Sequence, residues 1–513
     1  MPIKEGNMSA KIFKSTNFNQ LVLLPEDIGG RIPANHPVRL VNEVVEMLNI
    51  DTILAIYKGG GSSAYHPRLM LKILFYSYLN NIYSSRKMEK ALQENIYFMW
   101  ISGNSIPDFR TINLFRGKRL KNYIHLLFSE VVKLMSELGY VSLKKQFIDG
   151  TIIEAQANKY TFVWRGSAEK NKEKLENKII HILKEIESAI KSDDSENNPE
   201  IKSINSQELR ERIQKLNEGL DKLDKQQKKK LKELEIDQLA RLENYEEQLN
   251  TLGDRNSYSK TDTDASFMRM KEDRLGTGEL KPAYNVQIST ENQVITNFTL
   301  HQTSSDTVTL ASHLQQSNEL FGARTKQAIT DAGYGSEENY EMLNKCNIEG
   351  FIPYQNFRLE QKKKFKNNAF LQENLFYNQE KDYFVCPMGQ HLNKVGVSQK
   401  ISARKYVSNV TYYQATRCAG CPLRSGCFKG EGPRLITVNH QLIEYKQYMR
   451  KKLLSPEGQM LRKQRSIEPE AVFGQIKNNN SFTRFRLRGL DKVQIEFGLI
   501  AIAHNLRKWA KYA

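Results

Sequence analysis

Apolar residues recur at helical spacing from Leu21 to about Tyr140, as in VRLVNEVVEMLNI. Three glycines (Gly59, Gly60, Gly61) separate that helix from RLMLKILFYSYLNNI, a buried helix with Pro67 suited to its first turn. Ser84 and Ser85 are N-cap candidates for the next helix, and Pro107-Asp108 precede a short one carrying Arg110, Arg116, Lys118 and Arg119. Residues 21–140 therefore read as a helical domain behind a loose polar tail, 1–20. Short helices ending in a basic one suit a helix-turn-helix DNA reader, and equally an ordinary bundle with a basic outer face.

At Lys144 the pattern turns strand-like. KKQFIDGTIIEA predicts a strand, and AYNVQIST with QVITNFTLH predicts a hairpin turning at Glu291-Asn292. TKQAITDAGYGS predicts a third strand run ending at Asp331, followed by a helix (SEENYEMLNKCN) and a strand (EGFIPYQ). Residues 168–253 interrupt this pattern. Leu175, Ile179, Ile182, Ile186 and Ile190 form one helical seam; after the polar SDDSENNPE, Leu209, Ile213, Leu216, Leu220 and Leu223 form a second that runs on to Leu252. Two such seams predict an antiparallel, coiled-coil-like helical hairpin. Residues 361–440 are mixed and cysteine-rich, and 441–513 are helical and basic. The class is α/β, with a core in three pieces (141–167, 254–360 and 441–513) and two insertions.

Charge adds a partner. Lys plus Arg number 76 against 58 Asp plus Glu, a formal charge of +18 over 513 residues, and nucleic acid is the first polyanion to consider. With 39% hydrophobic residues the chain is not wholly disordered. No apolar run is long enough to span a bilayer, and MPIKEGNMSAKIFKSTN has no secretory h-region, so a cytoplasmic protein without a membrane is expected. No G-x-x-x-x-G-K-[ST] occurs, so a P-loop motor is unsupported.

Candidate chemistry lies at three acids. Asp149 and Asp331 each close an apolar strand with a glycine close behind, where carboxylate oxygens suit a hard cation such as Mg²⁺; Asp-Gly is also a common turn pair. In RSIEPEAVFGQIKNNN, Glu468 precedes Pro469 and is pushed out of the helix, whereas Glu470 shares a helix face with Phe473 and Lys477. Phe473 would anchor that helix, leaving Glu470 and Lys477 at a cleft edge. Further on, Arg484, Arg486 and Arg488 alternate with Phe485 and Leu487, so an extended segment would point all three the same way toward phosphates. Tyr284, Asn285 and Gln287 are candidates to line the cleft, while Trp164 reads as partly buried core. Cys386, Cys418, Cys421 and Cys427 have near-zinc spacing, with His391 an alternative ligand; four reduced thiols in a small core is the other reading, and Cys346 reads as packing.

These motifs resemble those of bacterial insertion-sequence DDE transposases of the RNase H-like superfamily, in the subgroup with an InsH-type N-terminal domain and a cysteine-containing insertion. The resemblance rests on HPRLMLKILFYSYLNNIYSSRKMEKALQENIYFMW with SIPDFRTINLFR, on FIDGTIIEAQANKYTFVW, on ITDAGYGSEENY, and on IEPEAVFGQIKNNNSFTRFRLRGLDKVQIEFGLIAIAHNL, in that order. It implies a catalytic triad of Asp149, Asp331 and Glu470 holding two Mg²⁺ or Mn²⁺ ions, with Lys477 contacting DNA near the cut. Relatives carry an Arg four residues before the Glu; here the nearest is Arg465, five before. The implied activity is cleavage and joining of DNA at the element's terminal inverted repeats and at target DNA, by a homodimer when bound and associated with the nucleoid. The alternatives are a nuclease of the same fold without strand transfer, or an inactive DNA-binding derivative.

Overall fold

The computed structural model describes residues 27–57, 64–190, 203–270, 278–322, 324–402 and 404–512. The N-terminal tail, the three-glycine linker and the SDDSENNPE loop fall outside these residues.

The central element is a six-stranded mixed sheet. Its main strands are β1 (Lys145–Glu154), β2 (Leu280–Glu291), β3 (Val294–His301), β4 (Gln327–Ile329) and β5 (Glu349–Phe351). The spatial order is β3-β2-β1-β4-β5, and a short strand, Ser266–Arg269, shares the outer edge of β2 with β3. β1 is antiparallel to β2 but parallel to β4, which is parallel to β5. The predicted hairpin is present, its turn made by Asn292 and Gln293, both at positive φ.

The parallel pairing of β1 with β4 sets two acids side by side. Phe147 lies opposite Ile329 across these strands. Asp149 and Asp331 each come two residues later, so both emerge at the same level.

One face of the sheet joins the N-terminal helices in a single core through the C-terminal helix, Leu490–Tyr512. Asn505 fixes that helix by bonding both the N–H and the carbonyl of Ile295 on β3, each at 2.8 Å. A second core gathers Phe147, Ile148, Ala328, Ile329 and Phe351 of β1, β4 and β5 with Met449, Leu453 and Leu461 of the helices His440–Leu454 and Pro456–Ile467.

The helical insertion has a core of its own, but the predicted second arm is not one helix. Ser206–Glu218 ends at Gly219, and Asp224 starts a new helix with a capping box; Arg165–Ile190 packs mainly on Leu239–Leu252, on which Ser206–Glu218 also packs. Glycine as C-cap and aspartate as N-cap override the continuing leucine repeat. At the root of the insertion, Phe162–Trp164 pairs with Ser257–Ser259, and Trp164 packs half-buried on Phe267. The cysteine-containing insertion is a five-stranded antiparallel meander from Phe376 to Val438. The turn of its longest hairpin docks on helix Glu337–Lys345, just beyond Asp331, through Tyr406 Oη to Glu341 and Ser408 Oγ to Glu337.

Candidate active site

Three distant segments meet beside the middle of β1, because Asp149 lies inside that strand rather than closing it as expected. Asp149, only 13% exposed, accepts the Gly150 N–H at 2.9 Å on one oxygen, and its Oδ2 lies 3.3 Å from Arg465 Nη1. The other guanidinium nitrogen, Nη2, lies 2.8 Å from Glu470 Oε1. Asp331 caps the turn Ala332–Tyr334 by accepting the Gly333 N–H at 2.8 Å. Asp331, Glu470 and Arg465 line one cleft of about 320 Å³. Arg465 thus sits as a cation between two carboxylates at the mouth of a space that a third also faces.

The two glutamates flanking Pro469 part for local reasons. Glu468, at φ −90° and ψ −93°, has left the helical region as its proline neighbour demands. Its side chain is buried and accepts the Gln293 N–H at 2.8 Å, holding the β2–β3 turn. Pro469 then starts the helix Pro469–Gly474, Phe473 is buried as its anchor, and Glu470 is left facing the cleft.

A further carboxylate escaped the sequence reading. Asp306 Oδ1 accepts amide N–H bonds from Asn285 and Gln287, both at 2.8 Å. Gln287 is itself fixed, because its amide oxygen accepts the Tyr334 hydroxyl. A Cβ placed on Gly150 would meet Gln287 Nε2 at 2.2 Å and Asp306 Oδ1 at 2.6 Å, so this amide lock requires a glycine there. Burial pushes the Tyr334 hydroxyl well above its usual value, and Asp306, Asp149 and Asp331 add to that push. Asp306 stands in the polar run HQTSSDTVT, whose pattern carries no strand or helix signal to single it out. Tyr284 faces the opposite side of β2, donating to Asp262 at 3.0 Å and packing edge-on to Phe485.

The basic residues divide. Arg110 and Lys118 are exposed, and Arg119 lies over the Tyr57 ring. Arg116 is buried, donating to Tyr78 Oη and the Tyr83 carbonyl, so its guanidinium is committed inside the protein. Lys477 is buried with Nζ 3.1 Å from the Ile152 carbonyl, rather than standing at the cleft edge. The three alternating arginines do not act alike. Arg484 turns in to the carbonyls of Ala155 and Ala157 and pairs with Glu154, Arg488 donates to the Gln156 carbonyl, and Arg486 is exposed. The segment is tied to the end of β1 by the bridge between Glu154 and Arg484, and that pairing takes up the side chains.

Cys386, Cys418, Cys421 and Cys427 are unbridged and line one small cavity. Cys386 Sγ accepts the Gln390 N–H and Cys418 Sγ the Arg434 N–H, each at 3.3 Å, while Arg434 Nη1 donates to Cys427 Sγ at 3.1 Å. His391 is elsewhere, stacked on Tyr383. Cys346 is exposed, which corrects its reading as a packing residue. Among the described residues no three His, Cys, Asp or Glu side chains stand ready to hold one ion, at the cysteines or at the acids. At the acids the donor chemistry still fits a hard divalent cation: all are carboxylates, and a guanidinium already occupies the place of positive charge between two of them. Among the described residues no helix is long and apolar enough to cross a membrane.

Two stretches of the chain match known families. Residues 385–510 match the family described as "Transposase DDE domain", a stretch that includes the four clustered cysteines and Glu470. Residues 26–118 match "Transposase domain (DUF772)". Asp149, Asp306 and Asp331 lie outside both. No curated protein matches the chain.

Proposed function

Because the chain belongs to the insertion-sequence DDE transposases, we propose that it cuts and joins DNA at the ends of its own element, with Asp149, Asp331 and Glu470 as the catalytic acids of an RNase H-like core. The observation that carries this is Arg465, which brings Asp149 and Glu470 onto one guanidinium beside the cleft that Asp331 lines. The strand order β3-β2-β1-β4-β5, with the two aspartates level on adjacent parallel strands, supports the fold assignment.

Enzymes of this kind use divalent metal. Bound by the three carboxylates, Mg²⁺ or Mn²⁺ would activate the attacking oxygen and stabilise the leaving oxygen of the phosphodiester. The chain's own contribution is positional. β1 and β4 fix the aspartates, the helix begun by Pro469 brings Glu470 to them, and Arg465 neutralises the cluster. Joining requires two element ends at once, so a second copy of the chain is the natural partner on DNA. Replacing any of the three acids by Ala should abolish cleavage of terminal-repeat DNA while binding persists; cleavage surviving Glu470→Ala and lost in Glu468→Ala would reverse the assignment.

Zinc at Cys386, Cys418, Cys421 and Cys427 is a separate proposal. It is supported by their shared cavity and by the backbone N–H bonds to two of the sulfurs, and it requires the four to close inward from their present spacing. Metal analysis of purified protein decides it: about one zinc per chain is expected for a single four-thiolate site, and none would leave a cluster of reduced thiols.

A further inference from the structure

The cleft that holds Asp331 and Glu470 is lined by three arginines, Arg358, Arg462 and Arg465. Arg465 is neutralised by two carboxylates. Among the described residues the Arg358 and Arg462 guanidinia have no carboxylate or hydrogen-bond acceptor, and the Nε of Arg462 is buried without a partner. This contrasts with Arg116, Arg434, Arg484, Arg488 and Arg507, each of which reaches a backbone carbonyl.

Arg462 is also held in place. It projects from helix Pro456–Ile467 with its guanidinium 4.9 Å from the centre of the Phe357 ring, one residue before Arg358. Burial, then the charge of Arg358, press it toward losing its proton. Two cations kept together without an acceptor cost stability unless an anion joins them. A ring-stacked guanidinium offers a rigid fork of donors suited to phosphate oxygens. Asp331 and Glu470, which line the same cleft, repel the same group.

We propose that Arg358 and Arg462 clamp a backbone phosphate of the DNA strand being cut, next to the phosphodiester presented to Asp331 and Glu470. This rests on the DNA-cleaving reading of the cleft. The clamp makes the cleft two-sided, with one phosphate held by arginines and its neighbour delivered to the acids. It assigns substrate seating to residues upstream of Glu470 rather than to the basic stretch after it, where Arg484 and Arg488 are occupied by backbone carbonyls.

The test uses the full chain and labelled duplex DNA carrying an element end, in EDTA so that cleavage does not run, with binding followed across salt concentrations. Replacing both arginines by Ala should lower the salt slope by about one unit, and replacing both by Lys should largely keep it, since about 0.9 counterion is released per phosphate neutralised. In parallel, inorganic phosphate should raise the unfolding temperature of the unaltered protein and not that of the double Ala variant. If the double variant does not fold, Arg358→Ala alone, at an exposed residue, should lower the slope by part of that unit and weaken the protection by phosphate. An unchanged slope with folding intact overturns the clamp and leaves the transposase reading standing. No DNA binding by the unaltered protein, with phosphate still protecting it through both arginines, overturns the DNA assignment and makes the site one for free phosphate.

Discussion

Arg465 Nη1 stands 3.3 Å from Asp149 Oδ2, and both side chains are largely shielded from solvent. The pair joins a helix of the C-terminal third to the middle strand of the sheet. A divalent cation and this guanidinium would compete for the same oxygens. Arg465→Gln should therefore bind Mn²⁺ several-fold more tightly in a titration followed by water-proton relaxation, while its metal-free form unfolds at lower temperature. Unchanged Mn²⁺ affinity would show that the guanidinium is not in the cation's place.

The two glutamates around Pro469 should separate stability from catalysis. Glu468→Ala removes the buried carboxylate that accepts the half-buried Gln293 N–H and should cost roughly 1 kcal/mol in urea unfolding, with cleavage largely kept. Glu470→Gln should do the reverse.

Gly150→Ala should displace the Gln287 amide that locks Asp306, because the added methyl has no room. Misplacing groups at a reacting centre by about an ångström costs on the order of a hundredfold in rate, so cleavage should fall by about that much. Asp306→Asn is expected to weaken cleavage too. Normal rates in both variants would remove Asp306 from the site.

Four histidines make the fold acid-sensitive, His313 and His504 buried and His125 and His301 half-buried. Burial is the first cause in each, holding His125, His301 and His504 down to about 4 and His313 to about 3. These folded values lie below the unfolded value of about 6.5, so the stability they contribute is full above that pH and is lost as pH falls toward the folded values. Each histidine contributes up to about 1.4 kcal/mol per pH unit across that window. Unfolding free energy should drop steeply between roughly pH 6.5 and 4, and His504→Gln should remove one proton's share of the slope. A flat profile would contradict the assignment of these histidines as neutral in the folded protein.

What the sequence revealed was what local pattern encodes. Ile329-Thr330-Asp331 does follow a strand end, while Ile148-Asp149-Gly150 marks a strand that runs on past its acid to Glu154; Pro469 sets where a helix can begin, which favours Glu470 over Glu468 on local grounds alone. What it hid depends on pairings between distant segments. Asp306 gains its place only when β2 presents two amides to it. Lys477 and Arg484 look like surface cations until the end of β1 offers them carbonyls and Glu154. Arg116 has the composition of a DNA contact and the surroundings of a core residue. The helical repeat through Leu216, Leu220 and Leu223 ran past a break because Gly219 and Asp224 interrupt the backbone without interrupting the apolar pattern.

The short ladder between Phe162–Trp164 and Ser257–Ser259 brings the two ends of the helical insertion side by side, Trp164 opposite Ser257. An arm whose ends meet behaves as a detachable handle. Its length is free to vary over generations, because the enzyme body senses only the two adjacent points of attachment. The same geometry makes this root a splice point where a fluorescent or affinity module could replace the arm without stretching the strands that carry the acids.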